Sequence, residues 1–271
     1  MKYPIALTIA GSDSSGGAGI QADIKTMSAI GVYAASAITA ITVQNTTGVF
    51  GIQGINPEIV AGQIDAVFSD LHPTSVKTGM LYSEEIIEAV ADRLRFHKPE
   101  YIVVDPVMIS TSGSALISPG AVESMKKNLF PLATIVTPNK MEAEHLSRIK
   151  ITGMETIAQA SENILQNGGK YMLVKGGHFD NASMTDFLFD KNGLAKRYDG
   201  CFVETINTHG TGCTFSSAIA AYLALGQSVT EAVGSAKQYL QKALECGANV
   251  DAGHGHGAVN HFFNPKKLQA K

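Results

Sequence analysis

The chain has 271 residues, a formal net charge of −3 and a sequence pI near 6.2, and 45% of its residues are hydrophobic. This length suits one large α/β domain over residues 1–271, and the weakly acidic balance, without a basic stripe, argues against nucleic-acid or anionic-membrane partners. No apolar run approaches the ~18 residues of a membrane helix, and three cysteines do not make a disulfide framework, so we expect a cytoplasmic protein.

Apolar, β-rich runs alternate with helix-period segments along most of the chain. The runs predict strands at about 5–10, 35–43, 76–79, 101–107, 134–137 and 171–175. The helical periods predict helices at about 18–30, 57–69, 83–96, 119–129, 140–148 and 155–167. Since such strands are apolar on both faces, we expect an α/β fold with a mostly parallel central sheet and helices on both faces. Later segments predict an antiparallel hairpin at about 186–189 and 196–203, at one edge of the sheet, then helices at about 214–225 and 229–247.

Polar or glycine-rich groups follow nearly every predicted strand. They are 11–17, 44–46, 77–80, 105–106, 137–139 and 175–177. In an open α/β sheet, ligands bind beyond the carboxyl ends of the strands. The sequence therefore predicts a ligand site where these groups converge.

The segment from Asn207 to Ala218 is the strongest single candidate for this site. Gly210 and Gly212 are free to adopt positive φ and to let a ligand approach the backbone, with Thr211 between them. The helix that follows has unpaired N–H groups and a dipole suited to a phosphate. A glycine turn before an ordinary core helix explains the same pattern.

Cys213 stands at the start of that helix. Because helix N-termini and nearby cations lower thiol pKa values, we expect a lowered pKa and a thiolate able to accept a proton from a substrate hydroxyl. A buried cysteine acting as a small hydrophobic side chain is the alternative.

Two carboxylates and two lysines complete the predicted phosphate end. Asp105 and Glu142 suit Mg²⁺, which needs few protein ligands and keeps several waters. Lys175 ends a buried strand, and Lys237 lies on a later helix; both suit a phosphate chain. Their alternatives are a turn cap for Asp105, a first-turn acid for Glu142, and exposed lysines at a strand end and on a helix.

Two further side chains suit a heteroaromatic substrate. The carboxamide of Gln44 offers an acceptor and two donors, which match the edge of an aminopyrimidine. Asp23, on the first helix, could meet a ring nitrogen or a hydroxymethyl group. The alternatives are a turn glutamine and a solvated helix carboxylate.

Two other patterns are weaker. Residues 17–22 fit a loose dinucleotide fingerprint, but the acid expected about 20 residues later is missing, so a Rossmann dehydrogenase is rejected. His254, His256 and His261 lack the cysteine or carboxylate partners of a metal site, and we expect a mobile loop there.

Taken together, these segments resemble the hydroxymethylpyrimidine/phosphomethylpyrimidine kinases of thiamine biosynthesis, within the ribokinase-like superfamily. The resemblance covers essentially the whole chain. It is carried by residues 10–23, 44–46, 77–80, 105–108, 137–139, 174–178, 207–214 and 255–257.

The resemblance implies a ribokinase-like three-layer fold and a homodimer. It implies two ATP-dependent reactions, from the hydroxymethylpyrimidine to its monophosphate and then to the diphosphate. It also assigns roles to individual residues. Those roles are Cys213 as base; Gly210, Thr211 and Gly212 as anion hole; Gln44, Gly11, Asp23, Met80 and Val107 around the pyrimidine; Asp105 and Glu142 for Mg²⁺; and Asn139, Lys175 and Lys237 for ATP.

One loop departs from the family. Several relatives carry a basic residue and an aspartate beside a Ser-Gly pair in the loop at 109–116, where this chain is neutral, and this loop is expected to cover the site. Two alternatives stay open: a pyridoxal-type vitamin kinase, because pyridoxine also carries a hydroxymethyl group on a heteroaromatic ring, and a ligand-binding regulator without catalysis.

Overall fold

The computed structural model describes residues 2–108, 116–118, 120–176 and 184–270. The strands are β1 (Ile5–Ser12), β2 (Tyr33–Asn45), β3 (Gly48–Gly54), β4 (Ser75–Thr78), β5 (Tyr101–Val104), β6 (Ile135–Val136), β7 (Tyr171–Val174), β8 (Asp186–Asp190) and β9 (Gly193–Tyr198). The α-helices are α1 (Gly19–Ile30), α2 (Pro57–Asp70), α3 (Glu84–His97), α4 (Ala121–Ser124), α5 (Lys140–Ser147), α6 (Met154–Leu165), α7 (Thr211–Ala224) and α8 (Val229–Gly247). A π-helical turn, Met125–Leu129, and a 3₁₀ turn, Phe130–Leu132, follow α4.

All nine strands form one sheet in the order β3-β2-β1-β4-β5-β6-β7-β8-β9. The six central strands run parallel, and the mostly parallel sheet is confirmed. Antiparallel strands lie at both edges, not at one as expected, because β3 pairs with β2 opposite the β8–β9 hairpin. The sequence gives little sign of β3, since three of its seven residues are glycines, which are depleted in strands.

Helices cover both faces of this sheet, which confirms the three-layer α/β architecture. Residues Ile102 and Val104 of β5 belong to a core shared with α2, α3, α5 and α6, whereas Val103 belongs to a core shared with α1, α7 and α8. Both-sided burial explains why the central strands have uninterrupted apolar sequences. Among the described residues, no helix has the length and apolar content needed to cross a bilayer.

The helix N-termini differ in how they are capped. Asn56, Ser83, Asn139 and Ser228 cap α2, α3, α5 and α8 with side-chain oxygens, each accepting a backbone N–H. Within the described part of the chain, α7 has no side-chain cap, and its N-cap residue is Gly210. A side-chain cap stabilises a helix by about 1 kcal/mol, and the first turn of α7 lacks that stabilisation.

The chain order reverses at β1, which lies between β2 and β4. Crevices at such a switch point, beyond the carboxyl ends of the strands, are where open α/β sheets bind ligands. Three predicted segments fall partly outside the described residues. They are the loop at 109–116, of which only Leu116 is described, the first residue of the helix at 119–129, and the end of the segment at 174–178, of which residues 177 and 178 are not described. Leu116 donates its N–H to the carbonyl of Met108 at 2.9 Å, so the two ends of that loop lie together.

Candidate active site

One cavity of about 1670 Å³ runs along the carboxyl edge of the sheet. Sites for a single small molecule usually have about 300–1,000 Å³, so this cavity has room for two ligands. With one exception, Asp23, it is lined by every residue to which the family resemblance assigns a role. These are Gly11, Gln44, Met80, Val107, Asp105, Asn139, Glu142, Lys175, Gly210, Thr211, Gly212, Cys213 and Lys237.

The turn before α7 depends on Gly210. Its φ is 76°, in the left-handed region, and a Cβ at this position would collide with the carbonyl of Gly17. The Thr211 N–H donates to the Thr208 carbonyl at 3.3 Å. The first N–H groups of a helix have no intrahelical partner, and those of Gly212 and Cys213 belong to this turn. An anion at this end of α7 would meet backbone donors and the positive end of the helix dipole.

Gly212 does not have the positive φ expected from the sequence. The helix begins at Thr211 instead of residue 214, which puts Gly212 in its first turn with ordinary helical geometry. What matters at this position is the missing side chain. A Cβ on Gly212 would lie 3.5 Å from Lys175 Nζ and 3.9 Å from Asp105 Oδ2, so glycine leaves the space between them and the helix open.

The expected low pKa of Cys213 is wrong. Burial raises the pKa of its thiol to about 11, and the negative charges of Asp23 and Asp105 act in the same direction. The ammonium of Lys77 and the N–H of Gly19 lower that pKa, but they do not outweigh burial. The thiol is therefore protonated at neutral pH.

Asp105 and Lys175 form a buried ion pair beside the start of α7. Their Nζ–Oδ1 distance is 2.7 Å, and Asp105 is 1% exposed. The same carboxylate accepts a hydrogen bond from the Ser216 hydroxyl at 2.9 Å and one from Thr137 at 3.3 Å. Burial opposes ionisation, but the ammonium groups of Lys175 and Lys77 hold the pKa of Asp105 below its usual range, so the carboxylate is charged.

Glu142 serves as a helix cap and also lines the cavity. It forms a capping box with Asn139, in which the Asn139 N–H donates to Glu142 Oε2 at 2.8 Å and the Glu142 N–H donates to Asn139 Oδ1 at 2.9 Å. Burial raises the pKa of Glu142 to about 7, the Lys175 charge lowers it and Asp105 raises it. Glu142 is therefore both an acid in the first turn of α5 and a residue of the cavity wall.

Lys237 reaches the cavity from α8. Its Nζ lies 2.7 Å from Asp186 Oδ2 and donates to the Met184 carbonyl at 2.8 Å. Asp186 in turn accepts the N–H of Gly176 at 2.9 Å. The ion pair joins α8 to the start of β8 and holds the ammonium at the cavity wall, while the Gly176 hydrogen bond joins the start of β8 to the residues after β7.

The other end of the cavity combines an amide with apolar side chains. Met80 packs with Ala40 and Leu116, with Val107 against the same cluster. A Cβ on Gly11 would lie 3.0 Å from the sulfur of Met80, so the glycine allows this close packing.

Gln44 and Cys213 line the cavity together with this cluster. A flat ring with a polar edge fits such a surface.

Asp23 does not reach the cavity, contrary to the position expected for a substrate-binding residue. It is fully buried, with Oδ2 2.8 Å from the ammonium of Lys77, which is also fully buried, and it accepts the Thr8 hydroxyl at 2.6 Å. The cause is the buried lysine on β4, whose charge needs a partner inside the protein. A lysine within an apolar strand was the sequence signal for this pair.

Sequence reasoning missed two side chains that line the cavity, Asp13 and His209. Their Oδ2 and Nε2 atoms are 2.8 Å apart, and both residues are buried. They lie 196 residues apart in the sequence, so no local pattern shows their contact. Asp13 also accepts the N–H groups of Ser15 and Ala18 at 2.8 Å, which makes it the organiser of the loop between β1 and α1.

The histidine-rich tail is packed against the site. The His256 N–H donates to the Thr46 carbonyl at 2.9 Å, and the His209 N–H donates to the Gly257 carbonyl at 3.0 Å. A Cβ on Gly255 would collide with Thr46, so the glycine permits this contact. In the described part of the chain, no three His, Cys, Asp or Glu side chains group as a metal site.

Comparison with known proteins agrees with this geometry. The chain matches the phosphomethylpyrimidine kinase family over residues 13–260. It is 52% identical to the hydroxymethylpyrimidine/phosphomethylpyrimidine kinase of Rhizobium meliloti, over 95% of this chain and 97% of the relative. A phosphomethylpyrimidine kinase structure from Clostridium difficile is 51% identical with a TM-score of 0.79, over 89% of this chain and 99% of that one.

A pyridoxal kinase from Staphylococcus aureus, solved with AMP-PCP and pyridoxal, is 35% identical with a TM-score of 0.86, over 97% of this chain and 95% of that one. Likeness of fold alone therefore does not separate the two kinds of vitamin kinase. The family match and the higher identity to phosphomethylpyrimidine kinases than to pyridoxal kinases distinguish them. The chain belongs to the phosphomethylpyrimidine kinase family.

Proposed function

We propose that this kinase uses ATP to phosphorylate 4-amino-5-hydroxymethyl-2-methylpyrimidine to its monophosphate and then to its diphosphate, in the biosynthesis of thiamine diphosphate. The observation that carries this proposal is a cavity that combines an amide and apolar side chains, a helix N-terminus without a side-chain cap, and room for a second ligand. The names of the relatives at about half identity support the same substrate.

In this proposal the pyrimidine lies between Gly11, Met80 and Val107, with its amino edge on Gln44. An aminopyrimidine offers a donor and an acceptor side by side, and a carboxamide offers the complementary pair. The hydroxymethyl group then points toward Cys213, which lines the same cavity.

The phosphate being transferred lies at the start of α7, against the backbone of Gly210, Thr211 and Gly212. Lys175 is beside this turn, within 3.5 Å of a Cβ position on Gly212, so its charge is available to the phosphate oxygens. Positioning and charge stabilisation of this kind account for most of the catalysis of phosphoryl transfer.

Cys213 is the proposed base, but its sulfur already carries a proton. Because its thiol is protonated at neutral pH, Cys213 accepts the hydroxyl proton only in the small fraction of molecules in which its own proton has passed to solvent. A loose transition state does not require early deprotonation, since bonding to the attacking oxygen is slight until late. We therefore expect Cys213→Ala to lower turnover by roughly 10²–10⁴-fold while leaving ligand binding nearly intact.

ATP occupies the rest of the cavity, beside Asn139 and Lys237. The wall there includes the apolar side chains of Phe202, Leu240 and Leu244, which suit a nucleobase.

The donor set suits Mg²⁺, because Asp105 and Glu142 are oxygen ligands on one wall and this ion needs only one or two carboxylates besides phosphate. Both Asp105 oxygens already accept hydrogen bonds, so it would hold the ion through water. When bound, Mg²⁺ neutralises charge on the phosphate oxygens. Glu142, whose pKa is raised to about 7, would lose its proton on meeting the cation.

We also propose a homodimer that works in the cytoplasm, where ATP is abundant. Edge strand β3 and its neighbour β2 expose the apolar side chains of Ile41, Val43 and Phe50, of which Phe50 is 68% exposed. An apolar patch on a sheet edge is suited to pairing with another copy.

Pyridoxal kinase is the second candidate, favoured by structural neighbours with that activity at TM-scores near 0.86. One assay separates the two: the purified protein is incubated with excess Mg·ATP and either hydroxymethylpyrimidine or pyridoxal, and the products are identified by mass. We expect pyrimidine mono- and diphosphate. A clear preference for pyridoxal would refute the pyrimidine substrate, and binding of the pyrimidine without ATP consumption would favour a regulator.

A further inference from the structure

The buried pair of Asp13 and His209 lies against the side chain that is proposed to read the substrate. His209 Nε2 is 2.8 Å from Asp13 Oδ2 and 3.4 Å from the terminal Nε2 of Gln44. All three residues line the cavity. The Cδ2 and Nε2 atoms of the imidazole pack close to Gly17, where a Cβ would lie 2.5 Å from Cδ2 and 3.3 Å from Nε2, so a glycine at this position admits the ring.

Hydrogen bonds decide where the proton of His209 lies. Burial disfavours a charged Asp13, but its hydrogen bonds with His209, Ser15 and Ala18 hold the pKa of this carboxyl well below its usual range. A carboxylate only accepts hydrogen bonds, so the facing Nε2 of His209 has to carry a hydrogen and donate it. Toward Gln44, the imidazole therefore presents a donor.

This donor fixes one orientation of the Gln44 amide. With its nitrogen toward His209, two donors face each other at 3.4 Å. On the other side, Gln44 Oε1 is 3.1 Å from the Thr42 hydroxyl, whose one hydrogen has a shorter contact with the Ser12 carbonyl at 2.8 Å. Since amide oxygen and nitrogen occupy nearly the same volume, their partners decide which way round they lie.

A half-turn of the amide removes both conflicts. Its oxygen then accepts a second branch of the His209 N–H, and its nitrogen donates to the Thr42 oxygen, which donates onward to Ser12. Every donor in this chain meets an acceptor, from the Asp13 carboxylate through His209 and Gln44 to the end of β1.

We propose that Asp13 and His209 are positioning residues for substrate selection, which lock the Gln44 carboxamide in the orientation that reads the 4-amino edge of the pyrimidine. The remaining lone pair of its oxygen and the remaining N–H of its nitrogen face the cavity as one acceptor beside one donor. A 4-aminopyrimidine presents the matching donor and acceptor, whereas a ring without the amino group does not.

This inference rests on the proposed function. A double-mutant cycle measured with two ligands tests the inference separately from that function. Isothermal titration calorimetry without ATP gives the Kd of 4-amino-5-hydroxymethyl-2-methylpyrimidine and of its analogue lacking the 4-amino group. The proteins are wild type, His209→Phe, Gln44→Ala and the double variant. His254→Phe is the matched control, because this histidine is exposed and does not line the cavity. A second variant, His209→Leu, guards against misfolding of His209→Phe.

We expect His209→Phe to raise the Kd of the amino compound about 10-fold, the size of one lost directed hydrogen bond, and that of the analogue less than about 2-fold. In the Gln44→Ala background the His209 substitution should have no further effect, because a positioning residue acts only through its target. His254→Phe should match the wild type.

Equal weakening of both compounds, an effect that persists without Gln44, or no weakening at all would overturn the positioning role. If the wild-type protein binds and phosphorylates the pyrimidine but the effects of the His209 and Gln44 substitutions on its binding are additive, only this inference is overturned. A wild-type protein that does not bind the pyrimidine overturns the proposed function and the inference with it.

Discussion

The buried pair of Lys77 and Asp23 is the basis of the sharpest stability prediction. Both side chains are 0% exposed, their charged atoms are 2.8 Å apart, and Asp23 Oδ1 has no hydrogen-bond partner among the described residues. Replacing Lys77 with Met leaves the carboxyl buried and unpaired, which costs about 3–5 kcal/mol. An unfolding entropy of about 0.6 kcal/mol per degree, from the chain length, converts this loss to a Tm lower by about 5–9 °C.

The double variant Lys77→Met/Asp23→Leu removes both charges and should recover most of that loss, because a buried pair is often no more stabilising than apolar side chains of similar volume. Thermal and urea unfolding measure all three proteins, and Lys170→Met, an exposed lysine at the start of β7, is the control expected within about 0.5 kcal/mol of wild type. Additive losses in the double variant, or a Lys77→Met protein as stable as the control, would refute the reasoning.

The same pair predicts a dependence on pH. Burial raises the pKa of Asp23, and in Lys77→Met no ammonium opposes that effect. A carboxyl with a raised folded pKa binds its proton more tightly when folded, so it stabilises at low pH and loses this stabilisation as the pH rises. The deficit of Lys77→Met should therefore be smaller at pH 5 than at pH 8.

Three further predictions concern single residues. At pH 7, iodoacetamide should label the exposed Cys201 and Cys246 at least 10-fold faster than Cys213, whose raised pKa leaves little thiolate; peptide mass mapping would contradict this if all three react alike. Burial, with a smaller effect of a nearby lysine, lowers the pKa of His261 to about 4. Up to about 3 kcal/mol of the free energy of unfolding should therefore be present above pH 6.5 and lost as the pH falls toward 4. In urea unfolding, His261→Gln should not show this dependence of stability on pH. Asp105→Asn should raise the Mg²⁺ concentration for half-maximal turnover by about 10-fold or more, and an unchanged magnesium titration would exclude Asp105 as a ligand.

The parallel centre of the sheet could be predicted because its strands are short apolar runs separated by helical periods. The cavity could be predicted for the same reason, since parallel strands end on one edge and polar residues follow each end. Strand β3 could not, because its glycines read as a loop and only pairing with β2 makes it a strand.

Individual site residues show where local reasoning stops. A helix N-terminus predicts a low thiol pKa at Cys213, but the depth of burial reverses it, and burial depends on the whole packed molecule. From the sequence, Asp23 is interpreted as a solvated helix carboxylate. In the structure it is paired with the ammonium of Lys77, 54 residues away. The pair of Asp13 and His209 joins segments 196 residues apart and has no signature in either segment.

The packing of residues 253–257 on the β2–β3 turn has a consequence for how the protein is made. During synthesis the N-terminal half emerges first, with Gln44 and the turn at Thr46 already available. Their neighbour Gly255 follows Thr46 by 209 residues, so this wall of the substrate pocket closes only after that later part of the chain has been made. A nonsense codon before residue 253 would thus release a chain with most of its sheet and an unfinished pocket.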